Sequence, residues 1–88
     1  MRLAKIVEVL HPETLREKRD EESQDRMGRT IDLDKSFICE GRSAFLHCVY
    51  PDFRESLVTS RVSDLIEGKY HIVIVTKNSI YILEEVAE

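Results

Sequence analysis

The stretch YHIVIVTKNSIYIL, residues 70–83, decides the fold. Two runs rich in β-branched and aromatic residues flank Lys77 and Asn78, and asparagine tolerates the left-handed backbone of a tight turn. The stretch therefore predicts a β-hairpin, with residues 70–76 as the first strand and residues 79–83 as the second. This is the strongest strand signal in the chain, and it points to a β-rich domain.

Three further segments are typical of strands. Residues 3–10 are rich in β-branched side chains, and Pro12 closes the segment because proline cannot continue a central strand. Residues 43–50 alternate between two mostly apolar faces, which indicates a central strand or one that curls within a small barrel. Residues 56–63 predict a more polar strand. One face of residues 43–50 carries Ala44, Leu46, Cys48 and Tyr50.

The remaining body of the chain predicts turns. A short alternating stretch at residues 31–33 is followed by a predicted turn at residues 34–36, and residues 40–42 form another around Gly41. About five short strands in 88 residues predict one domain, residues 1–88, with an all-β fold or an α+β fold with a minor helical part. This layout resembles a five-stranded SH3-like barrel, in which a long loop also follows the first strand. A strongly bent antiparallel sheet is the alternative.

Residues 13–29, which we call the charged excursion, interrupt the strand pattern. Six acidic and five basic residues are mixed there, and only Leu15 and Met27 are large and apolar. A solvated short helix between Pro12 and Gly28 is one interpretation. A long mobile loop is favoured, because helices in proteins depend on packing an apolar stripe against the core.

The composition narrows the class of protein. Thirteen Lys and Arg stand against 17 Asp and Glu, for a net charge of −4, which argues against general binding to nucleic acid. The start of the chain has no apolar stretch suited to a signal peptide, and no run is long enough to span a membrane. We therefore expect a cytoplasmic protein with no membrane partner, in which Cys39 and Cys48 are free thiols.

No motif in the chain indicates catalysis, a cofactor or a metal. The His and Cys residues lack the short spacings of zinc sites, and His47 and Cys48 point to opposite faces of one predicted strand. The three glycines are isolated at predicted turns, so no phosphate-binding loop is present. The sequence therefore predicts a protein that is not an enzyme and that binds neither cofactor nor metal.

A non-catalytic protein-binding module is the remaining interpretation, with another protein or a second copy as partner. Long loops in small domains are often functional, and a polar strand often lies at a sheet edge, where it can pair with another chain. One version is a small acidic inhibitor or regulator that blocks a basic surface of a larger enzyme. A small homo-oligomeric structural protein is an alternative. The predicted partner-binding residues are Glu17, Glu21, Glu22, Thr59 and Arg61.

Nucleic-acid binding by a small barrel is the other alternative. An aromatic residue beside a cation can stack a base while neutralising a phosphate. The residues predicted for this role are Arg42, Phe53, Arg54 and Arg61.

Overall fold

Six antiparallel strands close into a barrel in the computed structural model, which describes residues 2–51 and 55–86. Each strand pairs with the next in sequence, and β1 pairs with β6 to complete the barrel. The all-β prediction is confirmed. In the described residues, no helix has the length and apolar character needed to cross a membrane. The elements are β1 (Leu3–Leu10), α1 (Glu21–Arg26), β2 (Thr30–Phe37), β3 (Ser43–Tyr50), β4 (Ser56–Glu67), β5 (His71–Thr76) and β6 (Ile80–Glu85).

One apolar cluster fills the barrel, because every strand turns alternate side chains inward. Burying such aliphatic side chains stabilises the fold by about 1.5–3 kcal/mol each. The alternation predicted for β3 is confirmed at Ala44, Leu46 and Cys48, but Tyr50 at the end of the strand is exposed. The largest fully buried apolar side chains are Ile6, Val9, Ile31, Leu46, Cys48, Val62, Ile74 and Leu83.

The predicted count of five strands is wrong, because the turn predicted at residues 34–36 lies inside β2. The register of β2 against β3 shifts between Asp32 and Phe37, so the extra residues bulge out of the ladder without ending the strand. Ser36 Oγ bridges the irregularity: it donates to Asp32 O at 2.7 Å and accepts from the His47 N–H at 2.9 Å. The six-stranded arrangement does not confirm the likeness to an SH3-like barrel.

Strand β4 is longer than predicted and serves two neighbours in turn. Its first half pairs with β3 and its second half pairs with β5. A β-bulge lies where the first half of β4 ends. Val58 pairs with Phe45 and Arg61 pairs with Ser43, so two residues of β4 stand opposite one residue of β3. The Thr59 hydroxyl fills the resulting gap, accepting from the Ala44 N–H at 3.0 Å and donating to the carbonyl of the next residue at 2.7 Å.

The charged excursion folds against the barrel. Beside the end of β1, the His11 N–H donates to Arg16 O and the Lys18 N–H donates to Val9 O, both at 2.8 Å. The chain then enters α1, where Asp20 accepts from the Ser23 N–H at 3.1 Å as the N-cap. The favoured loop prediction is therefore wrong for Glu21–Arg26, and the short-helix alternative holds for those six residues.

The end of the charged excursion is anchored by contacts that the sequence pattern did not predict. Met27 packs against the apolar cluster. Arg29 is buried, and its guanidinium binds the carboxylates of Asp25 and Glu55. A buried cation needs such partners to offset the cost of leaving water. The excursion is thus attached through one apolar side chain and one ion-paired arginine.

Candidate functional site

A groove opens at one end of the barrel, between the charged excursion, the first half of β4 and the β5–β6 turn. We call it the barrel-end groove. Its volume of about 760 Å³ lies within the usual range of ligand sites. Two of its lining residues, Glu13 and Glu22, are carboxylates. The cationic lining residues are Arg16, Lys18, Arg26 and Lys77.

Arg26 is held in place at the wall of the groove. Its guanidinium donates to Tyr81 Oη at 2.6 Å and to Val58 O at 3.3 Å, and it pairs with the Glu22 carboxylate at 2.8 Å. The guanidinium also lies 5.9 Å from the centre of the Tyr81 ring. Only 14% of the Arg26 side chain is exposed, because these contacts hold it against the wall of the groove.

The other cations are freer. Lys18 Nζ donates to Asn78 O at 3.0 Å and to Ser79 Oγ at 2.9 Å, which leaves one of its three N–H donors for a ligand. Arg16 and Lys77 are exposed, and their side chains have no hydrogen-bond partner among the described residues. The groove therefore presents positive charge in a chain whose net charge is −4.

The backbone of β4 is open along one wall of this groove. The Cys48 N–H donates to Glu55 O at 3.1 Å, one residue beyond the His47–Ser56 pair. In an antiparallel ladder this makes Phe45–Val58, two residues along, a non-hydrogen-bonded pair. The N–H and C=O of Val58 thus point away from β3 and towards the groove, where Arg26 donates to the carbonyl.

An apolar row runs across the outside of the barrel beside the groove. Phe37, Phe45 and Val58 stand opposite one another on β2, β3 and β4. They are 52%, 45% and 56% exposed. We call them the outer apolar row. Val58 belongs to both features, so the row and the groove form one continuous surface.

The residues predicted to bind a protein partner lie on two parts of the molecule, the charged excursion and β4. The side chains of Glu17, Glu21 and Glu22 are exposed on the excursion. Arg61 is exposed on β4, where its Nε donates to Gly41 O at 2.8 Å. Thr59 is only 4% exposed and its hydroxyl is committed to the bulge, so its selection as a surface residue is corrected.

The residues predicted to bind nucleic acid are only partly described. Phe53 and Arg54 lie outside the described residues. Arg42 is exposed just before β3, and its carbonyl accepts from the Val62 N–H of β4 at 2.9 Å, which places its backbone near Arg61. The same segments also carry exposed acidic residues, so positive charge does not dominate there. Glu40 lies two residues before Arg42 in the chain, and Asp64 lies three residues after Arg61.

Sequence reasoning missed the groove and the outer apolar row. The groove draws its cations from residues 16–26 and from Lys77, and no local pattern joins these segments. The row had one signal, since Phe45 lies on the second apolar face of residues 43–50.

The described residues were also considered for metal ligands and reactive thiols. Within residues 2–51 and 55–86, no group of three His, Cys, Asp or Glu side chains can hold a metal ion. Both cysteines are free thiols, with Cys39 exposed and Cys48 buried in the barrel.

Comparison with known protein families, curated proteins and solved structures found no match to this chain.

Proposed function

We propose that this protein is a non-catalytic binding module that receives an acidic segment of another protein in the barrel-end groove. The observation that carries the proposal is the charge of the groove: four cations face two carboxylates in a chain that is acidic overall. Two of these cations, Arg16 and Lys77, are exposed and have no hydrogen-bond partner among the described residues. A complementary potential speeds encounter with an acidic partner and rejects basic ones.

The surroundings of the groove favour a protein over a nucleic acid. Protein interfaces combine an apolar centre with a polar rim of mixed charge. Phe45 and Val58 supply the apolar part, next to segments of balanced charge.

This proposal requires a partner with an acidic surface, whereas the acidic-inhibitor hypothesis from the sequence requires a basic one. The acidic-inhibitor hypothesis requires Glu17, Glu21 and Glu22 to meet a basic surface. These carboxylates lie on the charged excursion, and Glu22 also neutralises Arg26 through a 2.8 Å ion pair. The two hypotheses therefore predict partners of opposite charge, which makes them easy to separate.

The test is fluorescence anisotropy with two labelled peptides of alternating sequence, one of Glu and Val and the other of Lys and Val. We expect the acidic peptide alone to bind, with an affinity that falls as salt is raised. Lys77→Glu should weaken binding by about tenfold, equivalent to about 1.4 kcal/mol. Lys69→Glu is the matched control, because it makes the same charge change at an exposed position outside the groove.

Two results would count against the proposal. Preference for the basic peptide would support the acidic-inhibitor hypothesis instead. Equal effects of Lys77→Glu and Lys69→Glu would show that net charge, and not the groove, determines binding.

A further inference from the structure

We infer that the acidic segment binds as an added β-strand, paired with the backbone of β4 at Val58. This inference rests on the proposed function, because it specifies how the same groove holds its ligand. It also yields a sequence rule for the ligand: acidic and apolar residues alternate.

The side of β4 that faces away from β3 is where the ligand strand would lie. The ladder between β4 and β5 begins at Val62, so residues 56–58 have a strand neighbour only on the β3 side within the described chain. The N–H and C=O of Val58 point into the groove, as the non-hydrogen-bonded pairing with Phe45 requires. A strand edge of this kind is a template for an extended peptide.

The pairing with Val58 determines the direction in which the ligand's side chains point. A ligand residue whose backbone pairs with Val58 points its side chain to the same face of the sheet as Val58 does. That face is the outside, where the residue would extend the outer apolar row by one position. An apolar residue is therefore favoured there.

The ligand positions on either side of the paired residue favour acidic side chains. The ligand residues before and after the paired one turn their side chains to the opposite face, into the groove. Arg16, Lys18 and Lys77 line this groove. Carboxylates at every second position would lie about 7 Å apart along the strand, which suits cations supplied by separate segments.

Arg26 holds the position that the ligand takes. Its 3.3 Å hydrogen bond to Val58 O is long, whereas its bond to Tyr81 Oη is short at 2.6 Å. A ligand N–H can replace the long bond, and the guanidinium can keep Tyr81 while it turns to a ligand carboxylate. The exchange leaves no donor or acceptor without a partner.

The test uses the acetylated, amidated peptide Glu-Val-Glu-Val-Glu-Val-Glu and two N-methylated versions of it. One carries the methyl group on the backbone nitrogen of the central Val, and the other carries it on the Glu that follows. The Val nitrogens face β4 and the Glu nitrogens face away. Methylation at Val should therefore weaken binding by tenfold or more, while methylation at Glu should change it less than about twofold.

Amide hydrogen exchange supplies an independent measurement. Binding of the unmodified peptide should slow exchange at the Val58 amide and leave the Leu57 amide unchanged, since Leu57 already pairs with Leu46. Equal binding of the two methylated peptides, with the effect of Lys77→Glu retained, would overturn strand addition and leave the proposed function standing. No binding of the unmodified peptide would overturn both.

Discussion

The guanidinium of Arg26 donates a 2.6 Å hydrogen bond to the hydroxyl of Tyr81, and this bond joins α1 to the barrel wall at β6. Tyr81 is otherwise part of the apolar interior, where it is 4% exposed. The pair fixes the helix that forms one wall of the groove. The position of the groove wall therefore depends on how Tyr81 packs in the barrel.

Tyr81→Phe should destabilise the protein by about 1–2 kcal/mol, because it removes a partly buried hydrogen bond to a charged group while it keeps the ring. Urea unfolding followed by circular dichroism measures the change. Tyr70→Phe is the matched control, since Tyr70 is 60% exposed. Its effect should stay below about 0.5 kcal/mol. Equal losses in the two variants would show that the Arg26 contact does not stabilise the fold.

Thr59→Val should cost about 1–3 kcal/mol, because it keeps the shape of the side chain and deprives the Ala44 N–H of its acceptor. Hydrogen exchange at the Ala44 amide should speed up in this variant. Thr59→Ser retains the hydroxyl, so the same amide should stay protected even though a buried methyl group is lost. Loss of protection in both variants would mean that packing, and not the hydroxyl, holds the bulge.

Local patterns predicted the strands well, because alternation and turn chemistry act within a few residues. Strand β3 was predicted at its observed bounds, Ser43–Tyr50, and the hairpin around Lys77 and Asn78 is present. Strand β2 was cut short because residues 34–36 have the composition of a turn, whereas the Ser36 hydroxyl keeps them within the ladder. A hydrogen bond to a distant strand leaves no signal in the local composition.

The candidate site was less predictable for the same physical reason. The charged excursion has no apolar stripe, so its attachment through Met27 and the buried Arg29 could not be read from periodicity. The groove exists only where the excursion meets β4 and the β5–β6 turn. The polar character of residues 56–63 suggested an edge strand, whereas β4 lies between β3 and β5 in a closed barrel, and only its residues 56–58 lack a second strand neighbour in the described chain.

Gly28 adopts a φ of 82° where the chain leaves α1. A Cβ added there would meet nothing within 4 Å, so Gly28→Ala should cost about 1–2 kcal/mol through backbone strain alone. Gly28→Asn should cost less, since asparagine tolerates this conformation. Thermal unfolding of both variants measures the difference. An equal cost for alanine and asparagine would point to a contact with the side chain instead of the backbone.

The outer apolar row should not dimerise the free protein. Phe37, Phe45 and Val58 are about half exposed, which amounts to on the order of 300 Å² of apolar surface. A stable interface needs about 800 Å² from each partner. We therefore expect a monomer in sedimentation velocity at micromolar concentration, with Phe45→Ser sedimenting in the same way. A dimer that Phe45→Ser dissociates would instead support the homo-oligomeric alternative.

Asp20 should make α1 sensitive to acid. Hydrogen bonds from the hydroxyl and the backbone N–H of Ser23 lower the pKa of the Asp20 carboxyl below its ordinary value of 3.8. A carboxyl with a lowered folded-state pKa stabilises the fold fully above its unfolded pKa, and this stabilisation is lost as pH falls through the folded-state pKa. An NMR titration of the Asp20 carboxyl carbon should show a midpoint below 3.8, and the Ser23 amide shift should follow it. Asp20→Asn keeps an acceptor at the N-cap and should remove this titration from the Ser23 amide. A midpoint at or above 3.8 in the native chain would show that the Ser23 hydrogen bonds do not favour the ionised cap.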